Sequence, residues 1–156
     1  MKISKIEFEN FRNFMEHGEI RCSTDGKVTI IYGKNGDGKT TLHQLFRWIF
    51  YGQVHFNKTT TDRLYNLQYE SECSFGDTFQ VMGGIDFGHD GAQYSLRRTY
   101  TYRKGLVDSE KIAEDFSLST SRYSSRGSRL YDLRSGQSSY FESSSGEEDR
   151  LNVFTI

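Results

Sequence analysis

The stretch that most constrains this chain is Ile30-Ile31-Tyr32-Gly33-Lys34-Asn35-Gly36-Asp37-Gly38-Lys39-Thr40-Thr41-Leu42. It fits G-x-x-x-x-G-K-[ST], a phosphate-binding loop. Gly33, Gly36 and Gly38 let the backbone turn tightly and approach a polyphosphate without Cβ clashes. Successive N–H groups then point at phosphate oxygens, and the following helix adds the positive end of its dipole. Lys39 is placed to reach the β- and γ-phosphates, and Thr40 to give its hydroxyl to Mg²⁺.

So short a motif needs a strand before it and a helix after it. Val28-Thr29-Ile30-Ile31-Tyr32 is β-rich and nearly all apolar, and predicts a buried parallel strand. After Lys39, apolar residues fall at Leu42, Leu45, Phe46, Ile49 and Phe50, one face of a helix. Gly52 suits its stop. The bland alternative is a glycine-rich turn between strand and helix.

With 156 residues the chain is long enough for one domain with a modest core. Mean hydropathy is −0.70, no run approaches a membrane span, and Met1-Lys2-Ile3-Ser4-Lys5 lacks the apolar core of a signal peptide. Cys22 and Cys73 are the sole cysteines and form no C-x-x-C pattern. Both read as reduced thiols in a cytoplasmic protein. His17, His43, His55 and His89 show no metal-ligand spacing. A net charge of −1 gives no global pull toward nucleic acid.

Residues 2–11 alternate as a half-buried strand, with Ile6 and Phe8 on one face. A second strand is expected over Gly18–Cys22, followed by a Ser23–Gly26 turn. Asn57–Asp62 reads as a loop and Arg63–Asn66 as a short helix. The clearest hairpin follows. Phe79, Val81, Ile85 and Phe87 alternate on one arm, Tyr94, Leu96, Tyr100 and Tyr102 on the other, and Gly88-His89-Asp90-Gly91 supplies the turn. Gly83-Gly84 predicts a bulge or kink. Arg97, Arg98, Arg103 and Lys104 suit either DNA phosphates or a solvated strand face. The expected organisation is an α/β lobe over 1–116 with an antiparallel β subdomain, a Ser-rich loop or disordered segment over 117–146, and the start of a helix over 147–156.

Lys2-Ile3-Ser4-Lys5-Ile6-Glu7-Phe8-Glu9-Asn10-Phe11-Arg12-Asn13-Phe14, together with Gly33 to Thr41, resembles the start of SMC-like ABC ATPases such as SbcC, RecF, RecN and DndD. Tyr51-Gly52 and Tyr94-Ser95-Leu96-Arg97-Arg98-Thr99-Tyr100 fit the same pattern, so the resemblance covers roughly residues 2–103. It implies the N-terminal lobe of a P-loop NTPase head that binds ATP and Mg²⁺. Arg12 would contact the phosphates with Asn13 near it. Gly33, Asn35, Gly36, Asp37, Gly38, Lys39, Thr40 and Thr41 would wrap the triphosphate. Lys39 would be catalytic, Thr40 the metal residue, and Thr41 would lie on the α-phosphate side. The implied partners are a second head (a homodimer or a C-terminal half), DNA and a nuclease subunit, with no membrane role. The implied work is DNA repair, DNA processing or phage defence.

The family also uses a Walker B strand ending in Asp, followed by a catalytic Glu. The sequence shows neither, and Ile85-Asp86 after two glycines is a poor candidate. Gln137 could couple Mg²⁺ to a second lobe. Ser144–Arg150 reads either as the ABC signature S-x-G-E-x-x-R or as an acidic, Ser-rich tail matching by composition. Two alternatives stay open. One is a stand-alone phosphotransferase relying on Asp86 or Asp90, and the other a non-catalytic module that uses nucleotide to hold a partner.

Overall fold

The computed structural model describes residues 1–23, 28–56, 59–60 and 63–122. Its centre is a five-stranded sheet in the order β2-β1-β5-β6-β7, with β1 Lys2–Glu9, β2 His17–Arg21, β5 Thr78–His89, β6 Ala92–Arg103 and β7 Glu110–Arg122. Every pairing in it is antiparallel. One long helix, α1 (Lys39–Tyr51), packs across one face. A short helix α2 (Leu67–Glu72) and a small ladder of β3 (His55–Phe56) with β4 (Thr59–Thr60) complete the described elements. No helix among the described residues is long and apolar enough to cross a membrane.

The hairpin forms as its alternation predicts. β5 and β6 pair without interruption from Thr78↔Arg103 to His89↔Ala92. The turn is Asp90-Gly91, with φ of 48° and 73°. Positive φ at both central residues matches the right-handed twist of the strands. Odd-numbered β5 residues and even-numbered β6 residues face α1. Val81, Ile85, Tyr100 and Tyr102 are buried there against Leu45, Trp48 and Ile49. Helix α1 ends as expected at Gly52, in the left-handed region, whose N–H donates to Trp48 O. Two β6 side chains finish the helix end. Tyr100 Oη donates to Gly52 O at 3.0 Å, and Arg98 Nε donates to Ile49 O at 3.4 Å. A cation at a helix C-terminus complements its dipole.

Gly83-Gly84 makes no bulge, since the β5–β6 register runs straight through both. Each glycine instead makes room on one face. A Cβ at Gly83 would stand 2.8 Å from Leu45 Cδ1 and 3.0 Å from Trp48 Cζ3, so the missing side chain seats the helix. A Cβ at Gly84 would stand 2.5 Å from Arg97 Nη1. Arg97 crosses that gap from β6 to pair with Glu7 on β1. The irregularities of the sheet lie elsewhere, in β1 between Ile3 and Lys5 and in the β6–β7 pairing between Thr101 and Tyr102.

Three further expectations are corrected. Residues 28–32 form no strand, and Val28, Ile30 and Tyr32 are 83%, 70% and 91% exposed. A buried parallel strand needs neighbours to bond its backbone and cover its side chains, and the described residues supply none. The short helix begins at Leu67 rather than Arg63, because Tyr65 bridges to Phe11 and Asn66 is the cap. The Ser-rich segment does not start as loop, since residues 117–122 continue β7. The rest of that segment, the helix expected over 147–156, Gln137 and Ser144–Arg150 lie outside the described residues.

Candidate functional site

Gly33 to Gly38 form the elbow leading into α1. Gly36 and Gly38 take φ of 98° and 93°, a region open to glycine at little cost. Gly38 is the residue before the helix, and no side chain caps the helix amides. The first turn also carries no acidic residue. That end of α1 therefore presents uncapped N–H groups and a positive dipole. Lys39 curls back over the loop, its Nζ donating to Gly33 O at 2.6 Å and Lys34 O at 2.7 Å. Asp37 accepts from Lys34 N–H at 2.5 Å. Lys34, Asn35, Gly36, Asp37, Lys39 and Thr40 are exposed, whereas Thr41 is buried on the core side of the helix.

Phe14 braces this loop. A Cβ at Gly38 would stand 2.6 Å from Phe14 Cε1, and Phe14 stacks on Phe8 with ring centroids 4.3 Å apart. The sequence offered no reason to single out Phe14 for that contact.

The turn after β1 carries Arg12. Asn10, Arg12 and Glu16 all take positive φ, at 50°, 54° and 60°. Such strain in non-glycine residues needs surroundings that fix it, and two asparagines supply them. Asn10 Nδ2 donates to Gln80 O, and its Oδ1 accepts from Glu16 N–H. Asn66 Nδ2 donates to Arg12 O at 2.5 Å, while its Oδ1 accepts from Tyr69 N–H and caps α2. Arg12 N–H donates to Leu64 O at 2.8 Å. Phe11, fully buried, stacks on Trp48 and anchors the turn to α1.

So held, the Arg12 guanidinium donates to Gln44 Oε1 at 2.9 Å. Gln44 lies one turn beyond Thr40, so Arg12 sits beside the helix that carries the loop. Burial pushes its pKa below the ordinary arginine value. Arg12 and exposed Asn13 open onto a cleft of about 290 Å³, shared with Arg63, Tyr65, Asn66, Leu67 and Gln68. Apart from Arg12 and Asn13, the sequence did not mark these residues. Arg63, Tyr65 and Asn66 lie on the segment before α2, and Leu67 and Gln68 open that helix, with no motif among them.

The basic residues of the hairpin are mostly engaged within the protein. Arg97 pairs with Glu7 and lies 3.8 Å from Asp86. Arg98 meets Glu114 at 2.5 Å and Lys104 meets Glu70 at 2.7 Å. Arg103 is exposed. Asp86 is held by Lys5 and by Ser95 Oγ at 2.6 Å on the sheet face away from α1. It is neither a strand-end Walker B residue nor an acceptor-site acid beside the loop.

A family profile described as an AAA domain matches residues 5–154. The chain belongs to this family. Together with the relatives that follow, this match places it with the SMC-like ABC ATPases. The chain is 27% identical over 108 residues to the DNA replication and repair protein RecF of Chlorobium luteolum, covering 69% of this chain and 26% of that protein. RecF of Chlorobium phaeovibrioides is 26% identical over 106 residues, covering 67% and 25%. The chromosome partition protein Smc of Mesomycoplasma hyorhinis is 39% identical over 49 residues, covering 31% and 5%. The chain thus spans about a quarter of the length of the RecF proteins it matches.

Proposed function

We propose that this chain is the N-terminal lobe of an SMC-like ATPase head and binds Mg-ATP at the Gly33–Thr41 loop. The observation that carries the reading is the uncapped start of α1 beneath a glycine elbow that already holds the Lys39 ammonium. Loop amides and helix dipole would receive the phosphates, and Lys39 would move from the loop carbonyls to the β- and γ-oxygens. The exposed Thr40 hydroxyl, at the first turn of α1, suits a magnesium ligand, and the ion would offset phosphate charge. Asn13, Asn35, Gly36, Asp37 and Gly38 belong to the same binding surface. Thr41, being buried, would contribute its backbone N–H. Arg12 would reach the phosphates from beside Gln44, as a guanidinium next to an oxyanion is strongly favourable.

Hydrolysis would require a second head, from another copy or from a C-terminal half. The exposed Val28, Ile30 and Tyr32 support this, because residues 28–32 have strand chemistry and no strand neighbours among the described residues. The RecF and Smc relatives support work on DNA, in repair, processing or chromosome maintenance, with phage defence and a nuclease partner as narrower versions. The phosphotransferase reading loses Asp86, which Lys5, Ser95 and Arg97 already occupy.

Titration with a fluorescent ATP analogue tests the reading. The wild-type chain binds, Lys39→Ala loses at least about tenfold in affinity with an unchanged circular dichroism spectrum, and turnover by the chain alone stays at background. A Lys39→Ala protein that binds normally would sink the site. Fast turnover by the monomer would sink the need for a second head.

A further inference from the structure

We propose that Asp37 makes this loop selective for magnesium-complexed nucleotide over the free polyanion. The proposal rests on the nucleotide reading above. Asp37 folds back across the loop, its Oδ2 accepting from Lys34 N–H at 2.5 Å while its own N–H donates to Lys34 O at 3.3 Å. Gly33 admits it. A Cβ there would stand 3.0 Å from Asp37 Oδ2 and 3.1 Å from Asp37 Cβ. The carbonyl of the same Gly33–Lys34 peptide accepts from Lys39 Nζ. A cation and a carboxylate therefore grip opposite poles of one peptide unit. Among the described residues, Asp37 pairs with no cationic side chain.

A carboxylate fixed in a phosphate cradle repels any incoming polyanion, and the penalty grows with the ligand's charge. Magnesium removes two charges from ATP, so Asp37 penalises free ATP most and Mg-ATP less. Asn is the informative replacement, because its side-chain oxygen still accepts from Lys34 N–H while the charge is gone. The effect belongs to the charge and not to the shape of the loop.

Dissociation constants for ATP are measured with magnesium and with EDTA, at low and at high salt, for wild type, Asp37→Asn and Asp37→Ser. The ratio of the free-ATP constant to the Mg-ATP constant is expected to fall about threefold to tenfold in both variants at low salt. The difference narrows as salt screens the charge. An unchanged ratio in both variants overturns the proposal while leaving the nucleotide site standing. Absence of binding to the wild type in either form overturns both. Loss of Mg-ATP affinity in Asp37→Asn overturns the proposal in favour of a carboxylate that assists binding.

Discussion

Gly83 lies so close under Leu45 that a single methyl group on the glycine would come within 2.8 Å of the leucine Cδ1. Trp48 and Ile49 close the same space at 3.0 and 2.9 Å. Helix α1, and with it the loop at its start, is seated on the sheet through this contact. Gly83→Ala should cost about 1–3 kcal/mol in urea unfolding, as overpacking a filled core does. Gly84→Ala should cost less. Its new Cβ meets the far end of Arg97, a flexible side chain that can swing aside. Equal losses at the two positions would contradict the division of labour between the sheet faces.

Asn66 separates stability from site geometry. Asn66→Ala removes both the cap on α2 and the bond to Arg12 O, and should cost about 1–2 kcal/mol. Asn66→Asp keeps an oxygen for Tyr69 N–H but turns a second oxygen toward the Arg12 carbonyl. That variant should retain most of the stability and still weaken ATP binding, since the left-handed Arg12 turn is released. Unchanged affinity in Asn66→Asp would show that the Arg12 turn holds without this bond.

Acid should unfold the sheet through a small set of carboxylates. Burial works against ionisation of Glu7, Asp86 and Glu70, yet in each case their bonds outweigh it. Lys5 and Arg97 hold Glu7 below its ordinary value, Ser95 and Lys5 hold Asp86, and Lys104 and Ser109 hold Glu70. Folding thus lowers these pKa values, and the folded state binds fewer protons than the unfolded one. The stabilisation is complete above the unfolded carboxylate values, about 4, and is lost as pH falls through the lower folded values. Melting temperature should be flat near neutral pH and drop below about pH 4. Glu7→Gln should lower the plateau and soften the drop. A melting temperature independent of pH down to 3 (roughly one unit below those values) would remove these pairs from the account.

Local patterns carried most of what could be read from the sequence. Helix α1 and the β5–β6 hairpin follow from periodicity and from Gly52 and Asp90-Gly91, all short-range signals. The loop glycines and Lys39 follow from spacing. What the sequence hid depends on neighbours distant along the chain. Apolar Val28–Tyr32 announces a surface suited to burial without saying what buries it. Gly83-Gly84 announces missing side chains without saying that Leu45 and Arg97 use the space. Arg12 gives no hint of positive φ, because that strain is imposed by its bond to Leu64. The cleft beside Arg12 exists only because Phe11 and Tyr65 bring two remote segments together.

The ribbon from Val28 to Tyr32 also bears on how the protein behaves at high concentration. Its outward Val28, Ile30 and Tyr32 would reward contact with another chain by burying apolar surface. The same few residues that would welcome a second lobe are thus a sticky seam when none is present. Crowded samples should scatter light sooner than dilute ones, and a charged replacement at Ile30 should keep them clear.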